Sequence, residues 1–293
     1  MSSPSRVNTL ALVSLLLGAA SIGFAPIFPL FSDVGPIAIA AWRMLLATPF
    51  LYWLWRRSPG EGERKISLMI VLAAICFAGD LSLWHASLRL TSVAHATLIG
   101  AVGPLLMTLI AWLWLNEPLQ WRTYGVGLLL AVIGMLMLLW PHIVAPSPDM
   151  PHAGWGDFIA FVSACMYTGY LLTLKMALRK HSTLWVMWTN TLIGGVLQLA
   201  VSLVVEPANW LPGSLFLWWP LLALALVCQI IGQTLIASAM QRLSAGFSAI
   251  GLFVQPLVAA IAAWLLFNQT LTTGQLLGGV LILGGILQAR RGS

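Results

Sequence analysis

From Asn8 to Gln288 the chain is a nearly continuous series of apolar segments, each about the length that crosses a bilayer in helical form, parted by short polar or Pro/Gly links. A hydrocarbon core about 30 Å thick takes about 20 helical residues. Inside it every backbone N–H and C=O must be satisfied within the protein, so a chain of this kind folds as a bundle of helices. With 60% hydrophobic and 8% charged residues, nothing is left over for a soluble domain. Ten segments can be drawn: Asn8–Leu30, Pro36–Trp55, Ile66–Ala86, Thr91–Leu115, Thr123–Trp140, Gly154–Leu174, Thr183–Val205, Leu215–Met240, Ala245–Phe267 and Thr273–Gln288. Whether the long Leu215–Met240 is one helix or two decides between this count and its neighbours, nine and eleven.

Charge orients the bundle. With the N-terminus cytoplasmic, Arg6, Arg56, Arg57, Arg64, Lys65, Arg122, Lys175, Arg179, Lys180, Arg242, Arg290 and Arg291 fall on the inner side. Of the 14 Lys and Arg residues only Arg89 then falls outside, with Arg43 inside a span. The links FSDVGP, PHIVAPSPDMPH and EPANWLPG, placed outside, hold no Lys or Arg, as the positive-inside rule requires. The net charge of +6 therefore reflects topology, and no nucleic-acid partner is expected. Arg6 ahead of an apolar run resembles a signal peptide, but the many later spans favour an uncleaved first helix. Trp53, Trp55, Trp114, Trp140, Trp155, Trp210, Trp218 and Trp219 cluster at segment ends, as an interfacial belt would. Cys76, Cys165 and Cys228 lie in apolar segments without metal or disulfide spacing, so no metal and no cofactor is expected.

The stretch TSVAHATLIGAVGPLLMTLIAWLWLNEPL, Thr91–Leu119, returns in altered form as LSAGFSAIGLFVQPLVAAIAAWLLFNQTL, Leu243–Leu271. Pro104 answers to Pro256, Trp112 to Trp264, Asn116 to Asn268, Cys76 to Cys228, Ser92 to Ser244 and Gly127 to Gly279, each pair 152 residues apart. Two related halves follow, 1–142 and 143–293, joined by the external link Pro141–Ala153. Five spans being an odd number, the second half enters the membrane from the opposite side, which makes the repeat inverted. The expected fold is all-α: ten transmembrane helices as two inverted five-helix repeats around a central cavity, both termini cytoplasmic. Pro104 with Gly103, and Pro256 with Gln255, predict paired kinks, and interrupted helices at matching places in two halves point to a midplane site and its gates. On the last span Gly274 and Gly278 form GxxxG, which serves either packing within a monomer or a homodimer.

Asp80 and Arg43 are the intramembrane charges, about 6 Å and 4 Å outward of their segment midpoints at helical rise. Such groups are rare in spans and face a partner or a wet cavity. Two readings stay open. A structural ion pair would neutralise both; alternatively, a zwitterionic amino acid gives its carboxylate to Arg43 and its ammonium to Asp80. Asp80 is also a candidate proton carrier, which makes protons a candidate coupling ion. Trp84 and Phe77 lie a turn to either side of Asp80 and offer an aromatic wall or ordinary packing. His85 and His95 read as packing residues or proton relays. Gln229 and Gln233 form a polar stripe that helices, water or ligand must satisfy; Tyr167 and Gln255 are further cavity candidates.

The ten short spans in two inverted halves, with the LTSVAHATLIGAVGPLLMTLIAWLWLNEPL segment and its echo, resemble the drug/metabolite transporter superfamily, specifically its EamA-domain exporters. The resemblance covers essentially the whole chain. It implies that the first four helices of each half line a central cavity and that the fifth lies at the periphery, where it can support dimers. The helix closing on an acid and Pro-Leu matches Asn116, Glu117, Pro118 and Leu119, whereas Gln269 and Thr270 replace the acid and proline in the second copy. Export of small organic metabolites across the bacterial inner membrane is implied, amino acids including aromatic ones first. Drugs and other metabolites are the alternative within the family. One acid with one base argues against a polyanionic nucleotide sugar. No HExxH, GxSxG or Asp-rich motif supports a membrane enzyme, and a channel would conduct without saturable counterflow.

Overall fold

The computed structural model describes residues 9–58, 60, 62–87, 90–91, 96, 99–100, 102–114, 121–144, 153–267 and 272–290. Among them every regular element is helical. In chain order these are α1 (Thr9–Ile22), α2 (Pro36–Arg57), α3 (Leu68–Ser87), α4 (Val102–Trp114), α5 (Val126–Val144, entered through a π turn at Trp121–Gly125), α6 (Ala153–Leu178) and α7 (Thr183–Val205). There follow α8 (Phe216–Met240), α9 in two pieces (Ala245–Gly251 and Val254–Phe267) and α10 (Thr273–Arg290). Among the described residues seven helices, α2, α3 and α5 to α9, are long and apolar enough to cross a membrane; α1 and α4 are shorter apolar helices.

Local chemistry sets the ends. Pro36 opens α2, where its missing N–H costs nothing. Ser244 caps α9 by accepting from Phe247 N at 3.2 Å. Thr272 and Gln275 form a reciprocal capping box at the start of α10, the Gln275 side chain accepting from Thr272 N at 2.9 Å and Thr272 Oγ1 from Gln275 N at 3.3 Å. The first apolar segment, expected to run to Leu30, leaves the α-helix at Ile22 and ends in a 3₁₀ turn at Phe28–Phe31, because Pro26 and Pro29 cannot donate to preceding carbonyls. Helix α8 is one continuous helical run, but its centre, Leu224–Gln233, is wound as a π-helix.

The break in α9 falls at Leu252–Phe253, one turn ahead of Pro256. Pro256 has no N–H for the Leu252 carbonyl, which accepts from Gln255 N at 3.0 Å instead. On α4, Pro104 sits in the first turn of the described helix, and residue 101, through which the expected kink would run, lies outside the described residues.

Helices pack against partners from the other half of the sequence: α1 on α8, α2 on α7, α3 on α6, α4 on both α6 and α9, and α5 on α10. The α5–α10 pair meets through glycines. A Cβ on Gly127 would stand 2.6 Å from the Gly285 carbonyl, and one on Gly278 2.5 Å from that of Gly134. Small residues permit this close backbone approach. Because Gly127 faces Gly285 while Gly134 faces Gly278, the two helices run antiparallel. Gly278 is thereby used inside the monomer, while Gly274 has only its own Thr272 nearby.

Two buried charges lock helix ends. Glu206, at the end of α7, accepts through Oε2 from Ile37 N at 3.0 Å and Ala38 N at 3.1 Å, so a carboxylate sits on the positive end of α2. Lys175, within α6, donates through Nζ to Met240 O at 3.0 Å and Leu243 O at 2.6 Å at the negative end of α8. That buried anchor carries α6 past its expected end at Leu174 to Leu178.

Candidate functional site

Arg43 projects from the middle of α2 and is 6% exposed. Its Nε donates to Gln229 Oε1 at 3.1 Å, and its guanidinium carbon lies 6.0 Å from the Phe77 ring centre, within cation–π range. Gln229 belongs to the π-wound centre of α8 and donates in turn through Nε2 to Thr191 Oγ1 on α7 at 3.0 Å. Single π turns inside helices recur at functional sites because the wider winding redirects side chains. Phe77 stacks on Tyr170 of α6 at 4.4 Å between ring centres, and the Tyr170 hydroxyl donates to Gln233 Oε1 at 3.0 Å. The chain of contacts therefore closes on itself, from α8 through α2, α3 and α6 back to α8. Phe77, Tyr170, Gln229 and Gln233 are all buried within this ring.

Asp80, three residues along α3 from Phe77, accepts from Ser163 Oγ at 2.6 Å. Ser163 lies on α6, whose face continues through Tyr167 and Tyr170 at helical spacing. Arg43 is within electrostatic reach of Asp80, yet no ion pair joins them among the described residues. Of the two readings left open by sequence, direct pairing is the one this geometry lacks: each charge is held by a neutral side chain. Asp80 and Tyr167 are half-buried.

Gln255 lies beside Tyr167, within side-chain hydrogen-bonding reach of its hydroxyl. Asn190 on α7 is fully buried, with neither amide atom bonded to a described residue. A buried polar group left without a partner costs about 1–3 kcal/mol, so Asn190 marks a place where water or a ligand would be stabilising.

Gly103 backs this face. A Cβ there would stand 3.2 Å from both Ala164 O and Tyr167 Cδ1, and Thr168 Oγ1 donates to the Gly103 carbonyl at 3.1 Å. The backbone ahead of Pro104 is thus pressed onto α6 behind Tyr167, while the Pro104 carbonyl accepts from Thr108 Oγ1 at 3.0 Å. Pro256 follows the Gln255 that stands next to Tyr167, so both prolines lie near the same part of α6. Trp84 is half-buried one turn outward of Asp80 and meets the His85 ring edge-on at 5.0 Å. His85 lies within 2.7 Å of Leu81 O through Nδ1, bound to its own helix. His95 lies outside the described residues, as do Asn116 to Leu119 and Asn268 to Thr270.

The structure thus brings together Arg43, Phe77, Asp80, Tyr167, Gln229, Gln233 and Gln255, and leaves His85 to one side. Within that group Gln229 is fully buried and bonds Arg43 Nε. Three members escape the sequence reading. Ser163 and Tyr170 are signalled by their i, i+4, i+7 spacing around Tyr167; Thr191 carries no signal, since a hydroxyl in an apolar helix commonly bonds its own backbone.

Residues 9–140 and 154–290 each match the model described as the EamA-like transporter family. An uncharacterized transporter of Archaeoglobus fulgidus is 26% identical over 95% of this chain and 95% of its own. The threonine/homoserine exporter of Escherichia coli is 26% identical over 97% of this chain and 91% of its own. Among solved structures, one crystal structure superposes with a TM-score of 0.81 at 18% identity, covering 98% of each chain, and so shares the fold.

Proposed function

The chain belongs to the EamA-like transporter family, and from that premise we propose that it exports small zwitterionic metabolites, amino acids including aromatic ones, across the bacterial inner membrane by alternating access. The observation that carries the reading is the pair Arg43 and Asp80: a cation and an anion on the neighbouring helices α2 and α3, each held by a neutral neighbour and not by the other. Unlike charges left apart in a low-dielectric interior are poised for a molecule that brings both complements. Substrate carboxylate would meet Arg43 and substrate ammonium Asp80, with Tyr167 and Trp84 offering ring surface to the side chain. The amino-acid export named for the Escherichia coli relative points the same way.

Two five-helix repeats, 1–142 and 143–293, with ten spans and both termini cytoplasmic, form the scaffold of this proposal. The antiparallel course of α5 and α10, which occupy equivalent places in the two halves, supports inversion. The contact pattern also agrees with a twofold relation, since α1 against α8 has its counterpart in α6 against α3. In this scheme Gly60 is internal and Ser147, which lies outside the described residues, is external; cysteine labelling from one side of the membrane distinguishes them. Counterflow of labelled threonine, homoserine and phenylalanine in proteoliposomes, with and without a pH gradient, tests the function. Saturable exchange of at least one is expected; conductance without saturation would replace the carrier with a channel, and no movement of any would remove amino acids as substrates.

A further inference from the structure

Arginine has five N–H donors and no acceptor. Facing Arg43 Nε, Gln229 must therefore present its amide oxygen, and its amide nitrogen must point the other way, where Thr191 Oγ1 accepts it at 3.0 Å. The order Thr191, Gln229, Arg43 has only one consistent assignment of donors and acceptors. Gln229 and Thr191 are both 0% exposed, so neither is open to direct contact with a solvent-borne molecule. Arg43 Nη1 and Nη2, by contrast, make no hydrogen bond to a described residue, and Arg43 keeps 6% of its surface exposed. Phe77 supports the guanidinium carbon at 6.0 Å and is itself stacked on Tyr170.

Resting on the reading that Arg43 faces the transported molecule, we propose that Gln229 and Thr191 are positioning residues. They occupy Nε and so leave the two terminal nitrogens of Arg43 as an end-on fork for a substrate carboxylate. Planar bidentate recognition of this kind selects carboxylates over carboxamides, because two parallel charge-assisted bonds need two acceptor oxygens. Thr191 and Gln229 belong to α7 and α8 and Arg43 to α2, so the fork is assembled across the two halves of the chain.

Two measurements judge the proposal. Phenylglyoxal reacts with the two terminal nitrogens of a guanidinium, and adduct formation at Arg43, read by mass spectrometry of the purified protein, requires no transported substrate. Arg43 should label in the wild-type protein, and Gln229→Glu, which supplies a carboxylate partner inside the protein, should slow that labelling about tenfold. The second measurement is transport of L-phenylalanine and L-threonine beside their carboxamides. Thr191→Val should raise KM for the acids about tenfold with kcat within about twofold, leave the carboxamides unchanged, and be reversed by Thr191→Ser. Equal loss for acids and amides, or a fall in kcat alone, would make Thr191 merely structural and overturn the proposal. If neither amino acid is carried by the wild type, the amino-acid assignment falls while the labelling still decides: an inert Arg43, or equal labelling in Gln229→Glu, overturns the fork.

Discussion

Arg43 donates from Nε to Gln229 Oε1 at 3.1 Å and is not ion-paired with Asp80, which takes its hydrogen bond from Ser163 at 2.6 Å. A pair held together by mutual attraction would suffer when either charge is removed, by about 3–5 kcal/mol for a buried bridge. Separate anchoring leads to a different expectation. Asp80→Asn keeps an oxygen for Ser163 and should hold thermal stability within about 1 kcal/mol of wild type while weakening amino-acid affinity. Detergent thermostability measured beside counterflow checks this, and a collapse of stability would return the two charges to a structural role.

The prolines act through the carbonyls they cannot satisfy. In α9 the Leu252 carbonyl has lost its partner at Pro256 and the helix breaks at Leu252–Phe253. Replacing Pro104 and Pro256 together by Ala should mend the break in α9, leave folding intact and slow turnover, because on the proposed alternating-access scheme a straightened helix lacks the joint that moves. Unchanged counterflow in the double variant would take the prolines out of the mechanism.

Lys175 ties α6 to the end of α8 through two backbone carbonyls at 3.0 and 2.6 Å. Lys175→Met keeps the length of the side chain but supplies no donor. Loss of charge-assisted bonds worth about 1.5–3 kcal/mol each should lower the melting temperature by several degrees. A melting curve that does not move would mean that water replaces the ammonium fully.

Apolar run length located the helices in the sequence because the bilayer imposes that length on any spanning segment. Their winding was less legible. Nothing in LALVCQIIGQ announces the π turns of α8: no proline interrupts it, and the wider winding coincides with side-chain bonds from Gln229 and Gln233 to other helices. Spacing alone puts Gln229 and Gln233 on one stripe facing a cavity; the donor-only chemistry of Arg43 instead draws the Gln229 amide oxygen to its Nε. Likewise Lys175 reads as a charge at the inner interface, and only the nearby end of α8 turns it into a buried cap. Asp80, Arg43 and Tyr167 were legible as site candidates because polar groups are costly in spans.

The central claim is that Arg43 and Asp80 hold opposite ends of a zwitterion, and the charge swap Arg43→Asp with Asp80→Arg tests it most directly. Exchange preserves net charge, and the Gln229 amide and the Ser163 hydroxyl can each turn to serve the opposite sign, so the fold should survive; what it reverses is the order in which the two charges meet the ends of a zwitterion. The measurement is counterflow of labelled amino acid by the swapped protein in proteoliposomes, at matched amounts of folded protein. The account predicts a folded carrier without amino-acid exchange above background; full exchange by the swapped protein would contradict it.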